Sequence, residues 1–395
     1  MKKIFFEVFS YSHPIYDVFS KCSISNAKLY QRVEKKYMVS GTFHKIKENG
    51  SISKYVFSNN NFFDKCKLAI KNIFSIPAIS FSRLPPGMDV MQGTNSAIYT
   101  FKFPWLTDTD VVTSFYRHSD YEIGSSLSKK IIALLLKRSE CKGILAWSNA
   151  AKKSVETYFN SDMEIINKTY AILPGAPLSN HITDIPKDKF RFLFVSRLFY
   201  EKGGREIINA FLHISKKVDA ELHLVCPLPK EFRDKIFKSD NIVYHGFPIS
   251  RDELNKLYSN CHCLLFPSYF DSYGYVVIEA KSHGVPAICT DVFALPELVT
   301  NGETGIVLES PISWYGKNHL PDKKKYKTFD NFSSIIKSFD FTEFSISLLA
   351  TAMLEIISDR STWSKMSKNC IREIESGIFS MTQFSRRLSD IYGSL

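Results

Sequence analysis

The chain has 395 residues, 44% hydrophobic and 23% charged, with a formal net charge of +11 at pH 7. These proportions are those of a globular protein with room for two domain cores. They exclude a membrane-spanning helix: the longest uninterrupted aliphatic run is Ile131–Leu136, and a bilayer needs about 20 apolar residues.

The opening MKKIFFEVFS has a basic start, but Glu7 interrupts its apolar stretch and no small-residue cleavage site follows. A first strand over 2–9 is therefore expected in preference to a signal peptide. Further strands are predicted at 77–83, 110–115 and 143–148, with a helix at 126–138 that has a greasy face and four basic residues. This half reads as α/β. AILPGAPLSN, residues 171–180, holds two prolines and a glycine and reads as an interdomain connector.

The C-terminal half alternates more clearly. Strands are predicted at 190–197, 220–227, 241–246, 263–268 and 286–291, with helices at 203–217, near 229–238 and at 250–260. Ser250 with Glu253 three residues later gives the last of these a capping-box start. Strands alternating with helices of this length predict a doubly wound parallel sheet. Residues 311–341 are polar and aromatic, carry no clear period, and are expected to form an inserted loop. Helices follow at 343–357 and 361–376, and a last one is predicted within 379–395, where Phe384, Leu388 and Ile391 recur at helical spacing. The expected domains are 1–172, a linker at 173–186, a second domain at 187–375 and a terminal helix at 376–395.

Eight cysteines, at 22, 66, 141, 226, 261, 263, 289 and 370, show no CxxC pair and no regular framework. They read as reduced thiols of a cytoplasmic protein. Strand alternation sends His262 of the CHC stretch to the opposite face from its cysteines, so no metal ligand set is assigned. The charge is uneven: residues 1–190 hold 26 Lys+Arg against 16 Asp+Glu, or +10, which leaves 25 against 24 for 191–395. A basic N-terminal half suits an anionic membrane surface, a lipid-phosphate acceptor or, with no aromatic-basic motif to support it, nucleic acid.

Two stretches could carry chemistry. In VSRLFYEKGG, residues 195–204, a buried strand ends in Arg197, and Lys202 with Gly203 and Gly204 opens a helix. Two cations at a strand end and a helix N-terminus suit a diphosphate, and the same residues fit a solvated turn. In FDSYGYVVIEAKSHGVP, residues 270–286, Asp271 and Glu279 lie about two helical turns apart. Alone they fit an N-cap and a surface acid equally well. No GxGxxG, GxxxxGK[ST], GxSxG or zinc signature occurs, which argues against a nicotinamide dehydrogenase and against phosphoryl transfer by a P-loop.

Taken in order, these motifs resemble retaining GT-B glycosyltransferases of family 4. The likeness rests on FVSRLFYEKGGREIINAF, VYHGFPISRDELNKLYSNCHCLLFPS, FDSYGYVVIEAKSHGVPAICTD and ALPELVTNGETGIVL. It is strong over about 190–310, weaker over 140–180 and 379–395, and barely visible before residue 110. The resemblance implies two Rossmann-like domains facing across a cleft, and a terminal helix that crosses back to the first. It implies a nucleotide-diphosphate sugar as donor and a glycan or lipid-linked acceptor. Arg197 and Lys202 would stabilise the leaving diphosphate without a metal or other cofactor. Asp271 would hold the donor sugar with the backbone of Ser272, Tyr273, Gly274 and Tyr275, and Glu279 would hold the ribose diol. Gly203, Gly246 and Phe247 would line the donor, and His118 is the N-terminal candidate for the acceptor side, with His13 the other histidine considered there.

The setting implied is bacterial surface polysaccharide synthesis (lipopolysaccharide, O-antigen or capsule) at the inner face of the cytoplasmic membrane. Three features depart from the family. Asp271 stands where glutamate is usual, Phe293 and Ala294 stand where glycine is common, and YSHPIYD (11–17) replaces a glycine-rich loop. These departures motivate the alternative of a partner subunit that binds nucleotide or glycan without turnover. An epimerase of the same fold fits the loops less well.

Overall fold

The structure, a computed structural model, describes residues 2–7, 14–31, 36–39, 42–46, 52–55, 76–81, 83–117, 123–184 and 189–395. The chain forms two compact units. One comprises Met1–Pro174, Lys317–Pro321 and Phe384–Leu395, and the other Gly175–Gly316 and Asp322–Gln383.

The first unit is built on a six-stranded sheet of β1 (Lys2–Glu7), β2 (Ala27–Gln31), β3 (Val90–Thr94), β4 (Trp105–Thr109), β5 (Cys141–Ala146) and β6 (Thr169–Ala171). Its order is β6-β5-β4-β3-β1-β2 and every pairing is parallel. That is a doubly wound order with its reversal between β1 and β3. Parallel strands are covered on both faces, which is why β3 and β4 are buried at every position. Helices α1 (Pro14–Ser20), α2 (Ser126–Lys137) and α3 (Asn149–Tyr158) accompany it. α2 starts where Ser125 accepts the Ser128 N–H, and it buries Ile132, Leu135 and Leu136. The terminal helix α11 (Met381–Gly393) buries Phe384, Leu388 and Tyr392. Phe384 meets Phe19 edge-on at 5.0 Å, Ser385 Oγ accepts the Ser23 N–H at 3.2 Å, and the Tyr392 hydroxyl bonds Gln92.

The second unit repeats the plan with β7 (Phe190–Val195), β8 (Ala220–Val225), β9 (Ile242–Tyr244), β10 (Cys263–Phe266), β11 (Ala287–Thr290) and β12 (Gly305–Leu308). The order is β9-β8-β7-β10-β11-β12, again all parallel. The helices are α4 (Gly204–Ile214), α5 (Lys230–Phe237), α6 (Arg251–Asn260), α7 (Tyr275–Ser282), α8 (Phe329–Ser338), α9 (Ala350–Ser358) and α10 (Arg360–Glu375). Phe190, Phe192 and Phe194 share one face of β7 and are wholly buried with Ile207, Phe211, Met353 and Trp363. The capping box at α6 forms as the sequence predicts, with Ser250 and Glu253 bonding each other's backbone. Two parallel sheets with helices in Rossmann-like halves make the α/β class plain.

Four expectations are corrected. Residues 110–115 are not a strand: β4 ends at Thr109, and Val112–Phe115 turn as a 3₁₀ helix whose first N–H is taken by Ser154 Oγ at 3.0 Å. The strand at 77–83 shrinks to the short pieces Ile76–Pro77 and Ile79–Ser80. The stretch 311–341 is no simple loop, since it contains α8, capped by Thr328, and buries Trp314, Phe329 and Phe332 against one another. The predicted helix 343–357 opens with π-helical Phe344–Leu349 before α9 begins.

Candidate functional site

In the second sheet the chain order reverses between β7 and β10. Open α/β sheets bind ligands beyond the carboxyl ends of strands at such a reversal. The loops leaving these two strands are 196–203 and 267–274, the two stretches singled out from the sequence.

The first loop is wound tightly. Ser196 Oγ accepts the Leu198 N–H at 2.9 Å, and the N–H of Gly203 bonds the Tyr200 carbonyl at 3.1 Å. Gly203 has φ +73°, and a Cβ there would stand 2.5 Å from the Pro267 carbonyl oxygen of the second loop. Glycine is thus required for its backbone angle and for the approach of the two loops.

Lys202 is buried. Its ammonium lies 5.4 Å from the Phe266 ring centroid and 5.1 Å from that of Phe270. It donates to the Phe270 carbonyl and, at 2.6 Å, to Asp271 Oδ2. Burial pushes this amine below its ordinary value; Asp271 opposes the shift and the nearby Arg197 adds to it by repulsion. Asp271 Oδ1 accepts the Tyr273 N–H at 2.8 Å. This Asx turn, followed by Gly274 at φ +83°, delays α7 until Tyr275. The structure therefore brings Lys202 and Asp271 together, with Arg197 exposed on the same loop as Lys202.

One turn into α7, Glu279 is buried and fully engaged. Its Oε1 takes the Arg251 guanidinium and its Oε2 the Tyr258 hydroxyl at 3.2 Å. Neither Arg251 nor Tyr258 was singled out from the sequence, which offers no local signal for a pair 28 and 21 positions away. Burial, and next the Glu279 charge, push the Tyr258 phenol up, so it stays a neutral donor.

The neighbouring loops complete the rim. Gly246 follows β9 at φ +83°, and Phe247 beside it is partly exposed. His245 Nε2 stands 2.9 Å from His223 Nδ1 with the rings stacked. After β11, Phe293 takes φ +51°, keeping a glycine-like backbone where the resembled family commonly has glycine. Its ring packs 4.3 Å from Tyr315, which stacks in turn on Phe270 at 5.8 Å. His118 and His13 lie outside the described residues. Among the described residues no group of three or more His, Cys, Asp or Glu is placed to hold a metal. His262 Nδ1 accepts the Arg191 N–H at 2.8 Å.

Residues 178–318 match the family described as Glycosyl transferases group 1. The chain carries a glycosyl transferases group 1 domain. That domain holds every site residue named above in the second unit. Over 219 residues the chain is 26% identical to the capsular polysaccharide biosynthesis glycosyltransferase CapM of Staphylococcus aureus, covering 53% of each chain. Over 237 residues it is 28% identical to the O-antigen chain mannosyltransferase RfbU of Salmonella typhimurium, covering 56% of this chain and 63% of RfbU. The chain spans about a third to under two thirds of the length of the curated relatives it matches. Among solved structures, Anabaena Alr3699/HepE in complex with UDP is similar over 100% of both chains, at 15% identity and a TM-score of 0.58. That likeness shows the GT-B fold around the group 1 domain.

Proposed function

We propose that this protein is a glycosyltransferase. It moves a sugar, with retention and without a metal, from a nucleotide-diphosphate donor to a glycan or lipid-linked acceptor in bacterial surface-polysaccharide synthesis. The observation that carries this reading is the contact of Lys202 with Asp271 from two loops at the strand-order reversal, with Arg197 on the first of those loops. The names of CapM and RfbU support a surface polysaccharide as product.

Each residue has a task in this proposal. Transfer breaks the bond between the sugar's anomeric carbon and the diphosphate, and negative charge grows on the departing oxygen. Arg197, exposed on the loop, and Lys202, where burial makes the charge count for more, supply positive charge there. An ammonium has three donors; two of Lys202's are spent on Phe270 and Asp271, and the third serves the diphosphate. Asp271 keeps Lys202 charged and offers its remaining lone pairs to donor hydroxyls, while Glu279 takes the ribose diol from beneath. The basic N-terminal half (+10 over residues 1–190) suits an acceptor held at an anionic membrane.

The test is a thermal-shift panel of nucleoside diphosphates and their sugars, followed by turnover with the donor that stabilises most. A base-selective rise in Tm with product formation is expected. No shift with any nucleotide diphosphate would remove the reading. A shift without turnover in any donor–acceptor pair would favour the non-catalytic partner subunit, which Asp271 in place of glutamate and YSHPIYD in place of a glycine-rich loop motivate.

A further inference from the structure

The inserted segment 311–341 lies against both loops of the site. Its helix α8 starts where Thr328 Oγ1 accepts the Asn331 N–H at 3.1 Å, and it buries Phe329, Phe332 and Ile336. Phe329 meets Phe270, the residue before Asp271, edge-on with ring centroids 4.7 Å apart. Ser333 is one turn further along the same face of α8. Its hydroxyl donates to the carboxylate of Glu201, the residue before Lys202.

Backbone hydrogen bonds stitch the same three segments together. The Glu201 carbonyl accepts the Tyr269 N–H at 2.9 Å, and the Tyr269 carbonyl accepts the Trp314 N–H at 3.2 Å. At the far end of α8 the Arg205 guanidinium donates to the carbonyls of Ile336 and Lys337 at 2.9 and 3.0 Å. A helix leaves its last-turn carbonyls without partners of its own, and here Arg205 supplies them. The run Lys202–Gly203–Gly204 is thus held at both sides by α8, through the Ser333 hydroxyl on Glu201 and the helix end on Arg205.

Glu201 is buried, and its charge bears on Lys202. Burial lowers the Lys202 amine most; Asp271, and after it Glu201, favour the ammonium, while Arg197 disfavours it. A hydroxyl that fixes the Glu201 carboxylate therefore fixes part of the field at Lys202. Placement matters for a group that must meet growing charge: an error of about 1 Å can cost on the order of 10²-fold in rate.

We infer that α8 braces the two donor loops. Ser333, acting through Glu201, is a positioning residue that sets the Lys202 ammonium for the departing diphosphate, and Phe329 steadies Asp271 through Phe270. This rests on the reading that Lys202 faces a diphosphate, and it gives the inserted segment a part in the transfer step.

The test uses the full chain and two readouts. The first is steady-state turnover with the nucleotide sugar that raises Tm most. Alanine suits a helix at least as well as serine, so Ser333→Ala keeps α8 while removing the bond to Glu201. It should lower kcat about tenfold, as about 1.4 kcal/mol added to the barrier does, and Ser333→Thr, which keeps the hydroxyl, should restore it. Ser334→Ala, on the same helix but with its hydroxyl on the Asp330 carbonyl at 2.8 Å, should leave kcat unchanged. The second readout is the titration of Lys202 by NMR of lysine labelled at its ε-carbon, the resonance assigned by its loss in Lys202→Met. Glu201→Gln keeps an acceptor for Ser333 and removes only the charge, so the Lys202 midpoint should move to lower pH. Wild-type kcat in Ser333→Ala, a loss that Ser333→Thr does not restore, an equal loss in Ser334→Ala, or an unmoved midpoint in Glu201→Gln each overturns the inference. A displaced midpoint in a chain whose wild type shows no turnover would instead remove sugar transfer and leave the brace standing.

Discussion

Lys202 Nζ lies 2.6 Å from Asp271 Oδ2, and both side chains are nearly nine-tenths buried. The two come from loops after neighbouring strands and reach each other only because chain order reverses between them. Neither partner is replaceable on its own. Lys202→Met fills the slot between Phe266 and Phe270 with an apolar stem and removes the charge. Turnover should fall about 10²-fold or more, and Tm should fall too, because the buried Asp271 carboxylate loses its cation. Near-normal turnover in steady-state assays would remove Lys202 from the diphosphate. Asp271→Ala instead strands a buried ammonium, and a cost of about 3–5 kcal/mol is expected in urea unfolding.

The shorter acid at 271 now has a structural reason. Its Oδ1 closes a two-residue Asx turn on the Tyr273 N–H while Oδ2 reaches Lys202. Asp271→Glu can keep the ion pair but cannot close that turn, losing about 1 kcal/mol, and turnover should not rise. A large gain in kcat for the glutamate variant would show instead that aspartate impairs this chain.

Gly203 offers a test of loop geometry without touching a charge. An alanine there must hold φ near +73° with its Cβ about 2.5 Å from the Pro267 carbonyl oxygen. Backbone strain of this kind costs about 1–3 kcal/mol, and the clash pushes the two loops apart. Gly203→Ala should lower Tm and weaken nucleotide-diphosphate binding together. Unchanged affinity by calorimetry would mean that the loops need not approach so closely.

Much of the second unit was legible in the sequence because its strands are continuous apolar runs, as parallel strands buried on both faces must be. Ser250 and Glu253 announced α6 by local chemistry alone. What escaped was long-range. Arg251 meets Glu279 across 28 positions, and nothing in either neighbourhood marks the partner. Trp314, Phe329 and Phe332 looked aperiodic because they pack on one another and not along one face of a single helix. Residues 110–115 read as a strand from their branched and aromatic residues, and the hydrogen bond that the Val112 N–H donates to Ser154 Oγ decides otherwise. Asp271 and Glu279 were found as acids, but not that each already holds a cation.

The His223–His245 pair gives a pH dependence with a definite sign. Burial pushes both imidazoles below 6.5; the His245 charge and Arg191 lower His223 further, while Glu221 opposes the shift at His223 and Glu253 opposes it at His245. Between the depressed pKa values and 6.5 the unfolded chain binds more protons than the native one, so stability rises with pH and is lost on acidification. Tm should fall between pH 6.5 and 5, and the slope should flatten in His223→Gln/His245→Gln. An identical slope in the double variant would place the titration elsewhere. Glu221 is held below its ordinary value, so its own loss falls at lower pH, outside this window.

Glu279 carries the last prediction because its two oxygens have different partners. Glu279→Gln keeps a polar contact for the Tyr258 hydroxyl but removes the charge opposite Arg251. Arg251 is half exposed, so water compensates it and Tm should change little. If the carboxylate also takes the ribose diol, two charge-assisted hydrogen bonds weaken at once. At about 1.5–3 kcal/mol for a bond to a charged group, nucleoside-diphosphate Kd should rise roughly 10- to 100-fold. Arg251→Ala, which frees the carboxylate without removing it, should leave that Kd within a few-fold. Were Arg251→Ala to weaken the nucleotide as much as Glu279→Gln does, the guanidinium and not the carboxylate would be the group that touches it.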